Sequence, residues 1–476
     1  MGTFSKGFPI FALAMILCGC VPTLEIRTQS SPDPNGTAGS NPDAGTLQAN
    51  ALQPNILPPP AALSAECNVG SATPGETHRG IEDYGSYALG FAEFDDQGWS
   101  YDGDSQLTQL QRRLQSDLKN PAYSEMDFVV VVFVHGWHHN AHDNDCNVQE
   151  ARQMVRIASE QFDNAIRPGG FKRKRRVFGI YVGWRGESVN AAGLRYATVI
   201  DRRDVAEKVA KGSVRQLFAN LHEQQLVAQT AAARDRKDPK DAAARMYTTV
   251  VGHSFGGLIV FNALSQQIIS DLTAAAQTAC SPGDAIGVTR PWPDGVILIN
   301  PAFEATRFEP INRIADRAAA CGHAAEHPLL TVITADNDHW TGSSFTVGRR
   351  LLTLFEKYDD STPQAREIER NVNLRAIGFV PRYRTHRLCL RSEGGSEYAT
   401  VSATLTPQST ANPQTILTRM VWVVGAPPEI VDGHNGFLYA RKRGKVPQPY
   451  LLMWLVSTHV NPTAAVSAPN GCGVWR

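Results

Sequence analysis

The feature that most constrains this chain is a serine bracketed by glycines, with a strand-like run before it and a helix-like stretch after it. Residues 252–256 read GHSFG, residues 246–251 (MYTTVV) are rich in β-branched side chains, and residues 258–269 (LIVFNALSQQII) are largely apolar. This pattern predicts a buried parallel strand, a sharp turn and a helix. In such a turn Gly252 and Gly256 let neighbouring backbone approach, and Ser254 is held in a strained conformation. The pattern therefore favours a nucleophilic Ser254 over a structural serine in a Gly-rich turn.

Further strand and helix patterns alternate on both sides of this turn. Alternation of this kind predicts an α/β fold with a doubly wound, mostly parallel sheet and helices on both faces. The apolar run at 128–134 (FVVVVFV) is typical of a central strand, and it leads into His135, Gly136 and Trp137. The other predicted strands are 177–182, Gly295–Ile299 and 329–334, with outer strands at Tyr87–Phe94 and 420–424, and helices are predicted at 147–162, within 203–226 and at 450–456.

The order of these features, together with three short strings, resembles that of the α/β-hydrolase superfamily from about residue 87 to about residue 460. The strings are HGWHHNA at 135–141, YVGWRG at 181–186 and DGHNGF at 432–437, and they resemble a poorly characterised bacterial branch of that superfamily. The resemblance implies the α/β-hydrolase fold, with an insertion at about 345–415 before the catalytic histidine. It says more about the fold than about the substrate.

The resemblance also implies where the acid and the histidine lie. In the superfamily the acid follows the second strand beyond the serine turn, and here that strand leads into Asp336 and Asp338. The spacing favours Asp338, with Asp336 as the alternative. The histidine of the superfamily follows the last strand, a position that His434 occupies, while His386 and His459 are weaker alternatives.

A serine-hydrolase mechanism follows from these positions by resemblance. His434 would accept the hydroxyl proton of Ser254, and Asp338 would orient the imidazole. The backbone N–H groups of Phe255 and Trp137 would form the oxyanion hole.

Trp184 and Arg185 follow the predicted strand at 177–182, at the edge of the sheet where ligands bind in open α/β folds. Both are therefore candidate substrate contacts, although an ion pair within the loop explains Arg185 equally well. The nearby His135, His138 and His139 are not interpreted as metal ligands, because the HG pair has a structural role in the superfamily and no HExxH motif accompanies it. No metal and no cofactor are expected.

The N-terminus resembles a bacterial lipoprotein signal peptide, with a plain secretory signal as the alternative. Lys6 precedes an apolar stretch at 8–17 that is too short to span a bilayer, and residues 17–20 (LCGC) resemble the lipid-modification box. Residues 1–20 would be the signal peptide and lipobox, with Cys20 lipidated. Residues 21–65, rich in Pro, Gly, Ser and Asn, would be a flexible linker to a hydrolase domain at 66–476. Val21, by resemblance to enterobacterial sorting, favours the outer membrane.

The charge balance of the chain limits the partners that it can be expected to bind. The chain has 46 basic and 46 acidic side chains, which gives no electrostatic reason to expect nucleic acid. The basic run at 172–176 (KRKRR) is interpreted as a solvated loop.

Without Cys18 and Cys20, six of the eight cysteines remain, an even number in a chain with an export signal, so disulfides are expected. Cys280 and Cys321 each precede one of two neighbouring predicted strands and are the favoured pair.

Together these features predict a membrane-tethered serine hydrolase that acts on carboxylic esters, with a small-molecule or lipid ester as substrate. Acyl transfer to an alcohol uses the same residues and is an alternative. A cell-envelope lipoprotein that binds without turnover is an alternative of another class. Amidase, thioesterase and peptidase activities are not separated from these, because nothing in the sequence fixes the leaving group. The oligomeric state is not predicted.

Overall fold

The computed structural model describes residues 25–28, 57, 78–165, 173–187, 198–235, 246–281, 290–359, 361–393, 396–403, 418–438 and 449–460. The predicted signal peptide at 1–20, with Cys20, lies outside the described residues, as does nearly all of the predicted linker at 21–65. The described linker residues contact the folded domain: Arg27 is fully buried and lies 3.1 Å from Glu82, and the N–H of Leu57 donates to the carbonyl of Asp83. The prediction of a flexible linker is therefore wrong at these residues. No helix among the described residues is both long and apolar enough to cross a bilayer.

The described residues contain two sheets, of two and ten strands. The strands, in chain order, are β1 Arg27–Thr28, β2 His78–Arg79, β3 Ile81–Asp83, β4 Tyr87–Phe94, β5 Met126–Val134, β6 Lys174–Trp184, β7 Met246–His253, β8 Gly295–Ile299, β9 Leu330–Ala335, β10 His386–Glu393, β11 Ser396–Ala403 and β12 Val421–Ala426.

The large sheet has the order β11-β10-β12-β9-β8-β7-β5-β6-β4-β3. All neighbours from β10 to β4 pair in parallel, while β11 and β3 pair antiparallel at the two edges. The small sheet pairs β1 with β2 in parallel. Since the central strands are parallel, their carboxyl ends all open at the same edge, which is where β7 delivers Ser254.

Helices connect the strands of the sheet. In the described residues they are α1 Ser105–Lys119, α2 Cys146–Asn164, α3 Val199–Lys211, α4 Val214–Asp235, α5 Phe255–Cys280, α6 Glu309–Ala320, α7 Phe345–Leu352, α8 Pro363–Leu374 and α9 Tyr450–Val460.

Apolar side chains lie on both faces of the sheet, because successive side chains of a strand point in opposite directions. Helices cover both faces. In β5, Phe128, Val130 and Val132 belong to one apolar core, while Val129 and Phe133 belong to the other. Helix α1 and helices α3 to α6 contribute to the first core, and α2 and α9 contribute to the second. The predicted α/β fold, with a mostly parallel sheet and helices on both faces, is confirmed.

The insertion between Asp338 and His434 extends the sheet. Its described part forms α7, α8 and the antiparallel hairpin β10–β11, and β10 pairs in parallel with β12. The prediction that Tyr87–Phe94 and 420–424 are the outer strands was wrong, because β3 lies beyond β4, and β10 and β11 lie beyond β12. An edge strand exposes unpaired backbone groups, and the hairpin covers those of β12.

The basic run at 172–176 was also interpreted wrongly. Its described part, from residue 173, enters β6, and Arg176 is buried with only 1 % of its side chain exposed. The Arg176 guanidinium lies 3.2 Å from Asp117 and 3.5 Å from Asp83. Acidic side chains on α1 and β3 therefore bury Arg176 in an ion-pair network, while Lys174 stays exposed.

The predicted disulfide between Cys280 and Cys321 is present, with a Cα–Cα distance of 5.0 Å. Cys280 is the last residue of α5, and Cys321 directly follows α6. The strands that come next, β8 and β9, are neighbours in the sheet. The bond therefore ties together the ends of two helices that pack on the same face.

Candidate active site

The turn between β7 and α5 holds Ser254 in a backbone conformation that L residues rarely adopt, with φ 55° and ψ −119°. The turn is tight because glycines stand where backbone meets backbone. A Cβ on Gly256 would lie 2.1 Å from the carbonyl oxygen of Val134, and one on Gly252 would lie 2.6 Å from that of Gly256. The strain and the two close approaches match the turn predicted from the sequence.

Ser254, His434 and Asp338 form a hydrogen-bonded series. The Oγ of Ser254 lies 2.9 Å from Nε2 of His434, and Nδ1 of the same imidazole lies 2.8 Å from Oδ2 of Asp338. An ionised carboxylate can only accept, so Nδ1 carries the hydrogen. Nε2 is then left as an acceptor for the serine hydroxyl, which is the arrangement that a general base needs.

The carboxylate of Asp338 is held by its own turn. Its Oδ1 accepts from the backbone N–H groups of Trp340 and Thr341, at 2.9 and 3.3 Å, and its Oδ2 accepts from the hydroxyl of Thr341. Burial acts to raise the pKa of Asp338, but the hydrogen bonds and charge of His434 and the bonds from Thr341 outweigh it, so the pKa lies below its usual value. Asp338 is therefore ionised at neutral pH.

The alternatives to Asp338 and His434 lie elsewhere. Asp336 is 2.9 Å from Arg387 and 3.8 Å from Arg384, so it belongs to an ion-pair group beside β10. His386 lies within β10 and stacks on Trp422, with ring centroids 4.1 Å apart. The structure thus brings Asp338, and not Asp336, to His434. His459 lies in α9, and its side chain is outside the described residues.

Asn300 and His253 hold the backbone of the loop that carries His434, and neither was predicted from the sequence. The amide of Asn300 donates to the carbonyl oxygens of His434 and Gly433, at 2.8 and 3.0 Å, and its Oδ1 accepts from the N–H of Ala335 at 2.9 Å. His253 Nε2 donates to the carbonyl of His434 at 2.9 Å. Burial, followed by the proximity of His434, lowers the pKa of His253 well below its usual value and keeps it neutral.

Asn337 fixes the other side of the same loop. Its Oδ1 accepts from the N–H of Gly433 at 2.8 Å, and its amide donates to Asp432 at 2.9 Å. Asn300 follows β8 directly and Asn337 comes two residues after β9. The only available sequence signal was thus a polar residue at the carboxyl end of a parallel strand, where functional residues gather.

The two predicted oxyanion donors lie on segments that flank Ser254. Phe255 is the first residue of α5, and N–H groups in the first turn of a helix have no partner within it. Trp137 belongs to the loop after β5, and a Cβ on its neighbour Gly136 would come within 2.9 Å of the Cβ of Ser254. The Trp137 and Phe255 rings lie 6.4 Å apart. Both backbone segments are therefore next to Ser254, and their role as donors stays a prediction.

Trp184 and Arg185, predicted as substrate contacts, have structural partners instead. Trp184 is buried, and its indole N–H donates to the carbonyl of His135 at 2.9 Å, while its backbone N–H donates to the His135 imidazole at 3.0 Å. Burial lowers the pKa of His135 to about 4, so it stays neutral in this role. Arg185 forms an ion pair with Asp96, which also pairs with Arg202 at 3.0 Å. The loop ion pair is thus the interpretation that fits Arg185.

The three histidines after β5 each have a separate partner. His138 Nδ1 is 3.1 Å from Glu187, and His139 Nδ1 is 3.0 Å from Asp145, while His135 bonds to Trp184. Among the residues that the structure describes, no group of three or more His, Cys, Asp or Glu side chains is arranged to hold a metal ion.

The similarity of this chain to known proteins is remote. No protein-family model matches this chain, and no curated protein matches it. Among solved structures, the chain is similar to phospholipase PlaB from Legionella pneumophila in complex with thio-NAD, with 14% sequence identity over 58% of this chain and 49% of that chain, at a TM-score of 0.19. The chain spans about half the length of that phospholipase. At this TM-score the similarity carries no argument, and the α/β fold rests on the sheet described above.

Proposed function

We propose that this protein is a serine hydrolase of the α/β-hydrolase superfamily that cleaves carboxylic esters through Ser254, His434 and Asp338. The observation that carries the proposal is the hydrogen-bonded series of these residues, with contacts of 2.8 and 2.9 Å. It occurs at a serine with a φ of 55° at the start of a helix. A serine with only a structural role needs neither a partner histidine nor that backbone strain.

In the first half-reaction the Oγ of Ser254 attacks the ester carbonyl carbon, and its proton passes to Nε2 of His434. The carbonyl oxygen becomes an oxyanion, for which the N–H groups of Phe255 and Trp137 are the proposed donors. Collapse of the tetrahedral intermediate breaks the bond to the leaving alcohol oxygen, which takes the proton from His434. Asp338 stays ionised throughout and stabilises the imidazolium.

In the second half-reaction water gives a proton to His434 and attacks the acyl carbon. The bond to the Oγ of Ser254 breaks, the serine recovers its proton, and a carboxylic acid is released. An alcohol in the place of water would give acyl transfer. An assay must therefore show the free acid as product.

The surroundings of Ser254 favour an apolar acyl group. The Trp137 ring lies 6.4 Å from the ring of Phe255 and 6.2 Å from that of Trp340. Apolar and aromatic surfaces with a few fixed polar groups are typical of sites for small organic ligands. The proposal is therefore an ester with a hydrocarbon acyl chain.

Hydrolysis of nitrophenyl esters of increasing acyl length, with the acid measured as product, tests this function. We expect turnover by the parent and by the control His339→Ala, which changes an exposed histidine beside Asp338. Ser254→Ala and His434→Ala should each lose activity by about 1,000-fold or more. Activity that survives in Ser254→Ala, or a folded parent without turnover, would contradict the proposal, and the second result would favour a binding lipoprotein.

We also propose that the protein is exported and lipid-anchored to the cell envelope through Cys20, with the outer membrane favoured. The support is the LCGC string and the apolar stretch before it. Metabolic palmitate labelling should be lost in Cys20→Ser and retained in the control Cys18→Ser. If the parent is exported but carries no palmitate, residues 1–20 are a plain secretory signal instead.

A further inference from the structure

Large apolar side chains are exposed in one cluster directly after Asp338. Of the twelve large hydrophobic residues that are exposed in the described part of the chain, six lie between residues 340 and 355, and they are between 49% and 97% exposed. We call this cluster the apolar rim. Its members are Trp340, Val347, Leu351, Leu352, Leu354 and Phe355.

Three members of the apolar rim, Val347, Leu351 and Leu352, lie on α7, which is anchored by Arg349. Arg349 in α7 lies 2.9 Å from buried Glu304, and it donates to Asn373 of α8 at 2.9 Å. No residue of α7 is buried, and Val347 and Leu351 stand one helical turn apart on its surface. The fold thus holds α7 by a polar contact and leaves Val347, Leu351 and Leu352 at least half exposed. Exposed apolar patches of this kind mark interaction sites.

The apolar rim is continuous with the mouth of the candidate active site. A π-helical turn, Trp340–Ser344, connects the turn of Asp338 to α7. The Trp340 ring packs edge-on against Trp137 at 6.2 Å, and Trp137 lies 6.4 Å from Phe255, the residue after Ser254. An aromatic path therefore leads from the exposed rim to Ser254.

We propose that the apolar rim docks on a lipid–water interface, so that the site draws its ester substrates from membrane lipids. The proposal rests on the function proposed above and names the source of the substrate. Trp side chains prefer the interface of a bilayer, and Arg350 and Lys357, both exposed at the edge of the rim, can contact lipid phosphates. A protein docked on the apolar rim would block access to Ser254, whereas a lipid surface would supply the site with ester substrate.

Vesicle sedimentation tests the docking without turnover. The protein is the full chain with Cys20→Ser, so that no acyl chain is attached, and Ser254→Ala, with vesicles of phosphatidylcholine alone or mixed with phosphatidylglycerol. The rim variant is Leu351→Gln with Phe355→Gln. The control is Leu226→Gln with Val227→Gln, which changes two side chains of α4 that are 52% and 58% exposed. All chains share the same N-terminus, so differences between them report on the substituted surface.

We expect the rim variant to bind vesicles at least about tenfold more weakly than the parent, and the control to bind within about twofold of it. Equal binding by rim variant and control overturns the docking surface, and so does a parent that does not bind. A rim variant that changes the oligomeric state in solution but not vesicle binding also overturns it, and assigns the rim to contacts between copies of the chain.

Kinetics with Ser254 restored separate this inference from the proposed function. The rim variant should cleave a soluble short-chain ester within about twofold of the parent, but vesicle phospholipid about tenfold more slowly. If no ester is cleaved while vesicle binding depends on the rim, the proposed function fails and the docking surface stands. If soluble and vesicle esters are cleaved equally well by both chains, the docking inference fails and the hydrolase stands.

Discussion

Asn300→Asp tests how the loop that carries His434 is held. The two side chains have the same shape, so the substitution leaves no cavity, and the oxygen that accepts from the N–H of Ala335 at 2.9 Å is retained. The amide that donates to the carbonyls of His434 and Gly433, at 2.8 and 3.0 Å, becomes an oxygen that faces them. The substitution thus converts two attractions into two repulsions at a fully buried position.

The expected loss of stability follows from the protonation that the substitution forces on the new carboxyl group. A carboxyl that faces two carbonyl oxygens takes up a proton, which costs about 4 kcal/mol at pH 7 for an ordinary aspartate pKa. The protonated group can donate only one of the two lost hydrogen bonds, and the other is worth about 1 kcal/mol. We expect a loss of about 5 kcal/mol of stability at pH 7. The substituted side chain would have a raised folded-state pKa, so the deficit should shrink as pH falls toward about 4.

Activity and stability should be measured together. A shift of the His434 loop by about 1 Å is expected to lower kcat about 100-fold and to leave KM nearly unchanged. The control is Asn312→Asp, which removes an exposed amide that donates to Asp316 at 2.9 Å, and it should change stability by less than about 0.5 kcal/mol. Urea unfolding at pH 7 and pH 5 and steady-state ester kinetics give the values. A kcat within about threefold of the parent, with a stability loss below about 1 kcal/mol, would refute the positioning role of Asn300.

Other substitutions test the remaining parts of the account. Asp338→Asn should lower kcat by about 1,000-fold to 10,000-fold, because a neutral amide no longer selects the tautomer that leaves Nε2 as acceptor, and an unchanged kcat would contradict this. Burial opposes ionisation of Asp338, but its hydrogen bonds hold its pKa below the usual value, so its stabilising contribution is present above about pH 4 and lost as pH falls through the folded-state pKa. Unfolding curves of the parent and Asp338→Asn should therefore converge in acid. Gly256→Ala places a Cβ 2.1 Å from the carbonyl oxygen of Val134, and thermal unfolding should show a loss of roughly 2–4 kcal/mol; equal stability would mean that the turn can open. Replacing Cys280 and Cys321 by Ala removes a crosslink between positions 41 residues apart, which should cost about 4 kcal/mol in urea unfolding, and a loss below about 1 kcal/mol would show that the crosslink adds little to stability.

Strong local patterns predicted the parts of the fold that burial dictates. Parallel strands covered on both faces need continuous apolar runs, so the strands at 128–134 and 246–251 were visible in the sequence. The serine turn was visible because only glycine fits where Gly256 meets Val134. Asp338 and His434 are 96 positions apart, and no local pattern joins them. Their pairing came from the resemblance to a superfamily, and the structure brings them into hydrogen-bonding distance.

What the sequence could not predict depends on contacts between distant elements. Asn300 supports a loop 134 positions away. Arg176 is buried because Asp117, 59 positions before it, accepts a hydrogen bond from its guanidinium and balances its charge. A run of basic residues is solvated only if no acid on a neighbouring element pairs with it. Trp184 was a candidate substrate contact because of its place at a strand end, but its indole N–H donates to the backbone carbonyl of His135.

The most direct test of the central claim is to locate a covalent adduct. The parent would be treated with a fluorophosphonate, digested, and mapped by mass spectrometry, with Ser254→Ala and the control Ser343→Ala, an exposed serine on the turn after Asp338, treated alongside. We expect one adduct, on Ser254, in the parent and in Ser343→Ala, and none in Ser254→Ala. A folded parent without an adduct, or an adduct on another residue, would contradict the claim that Ser254 is an activated nucleophile.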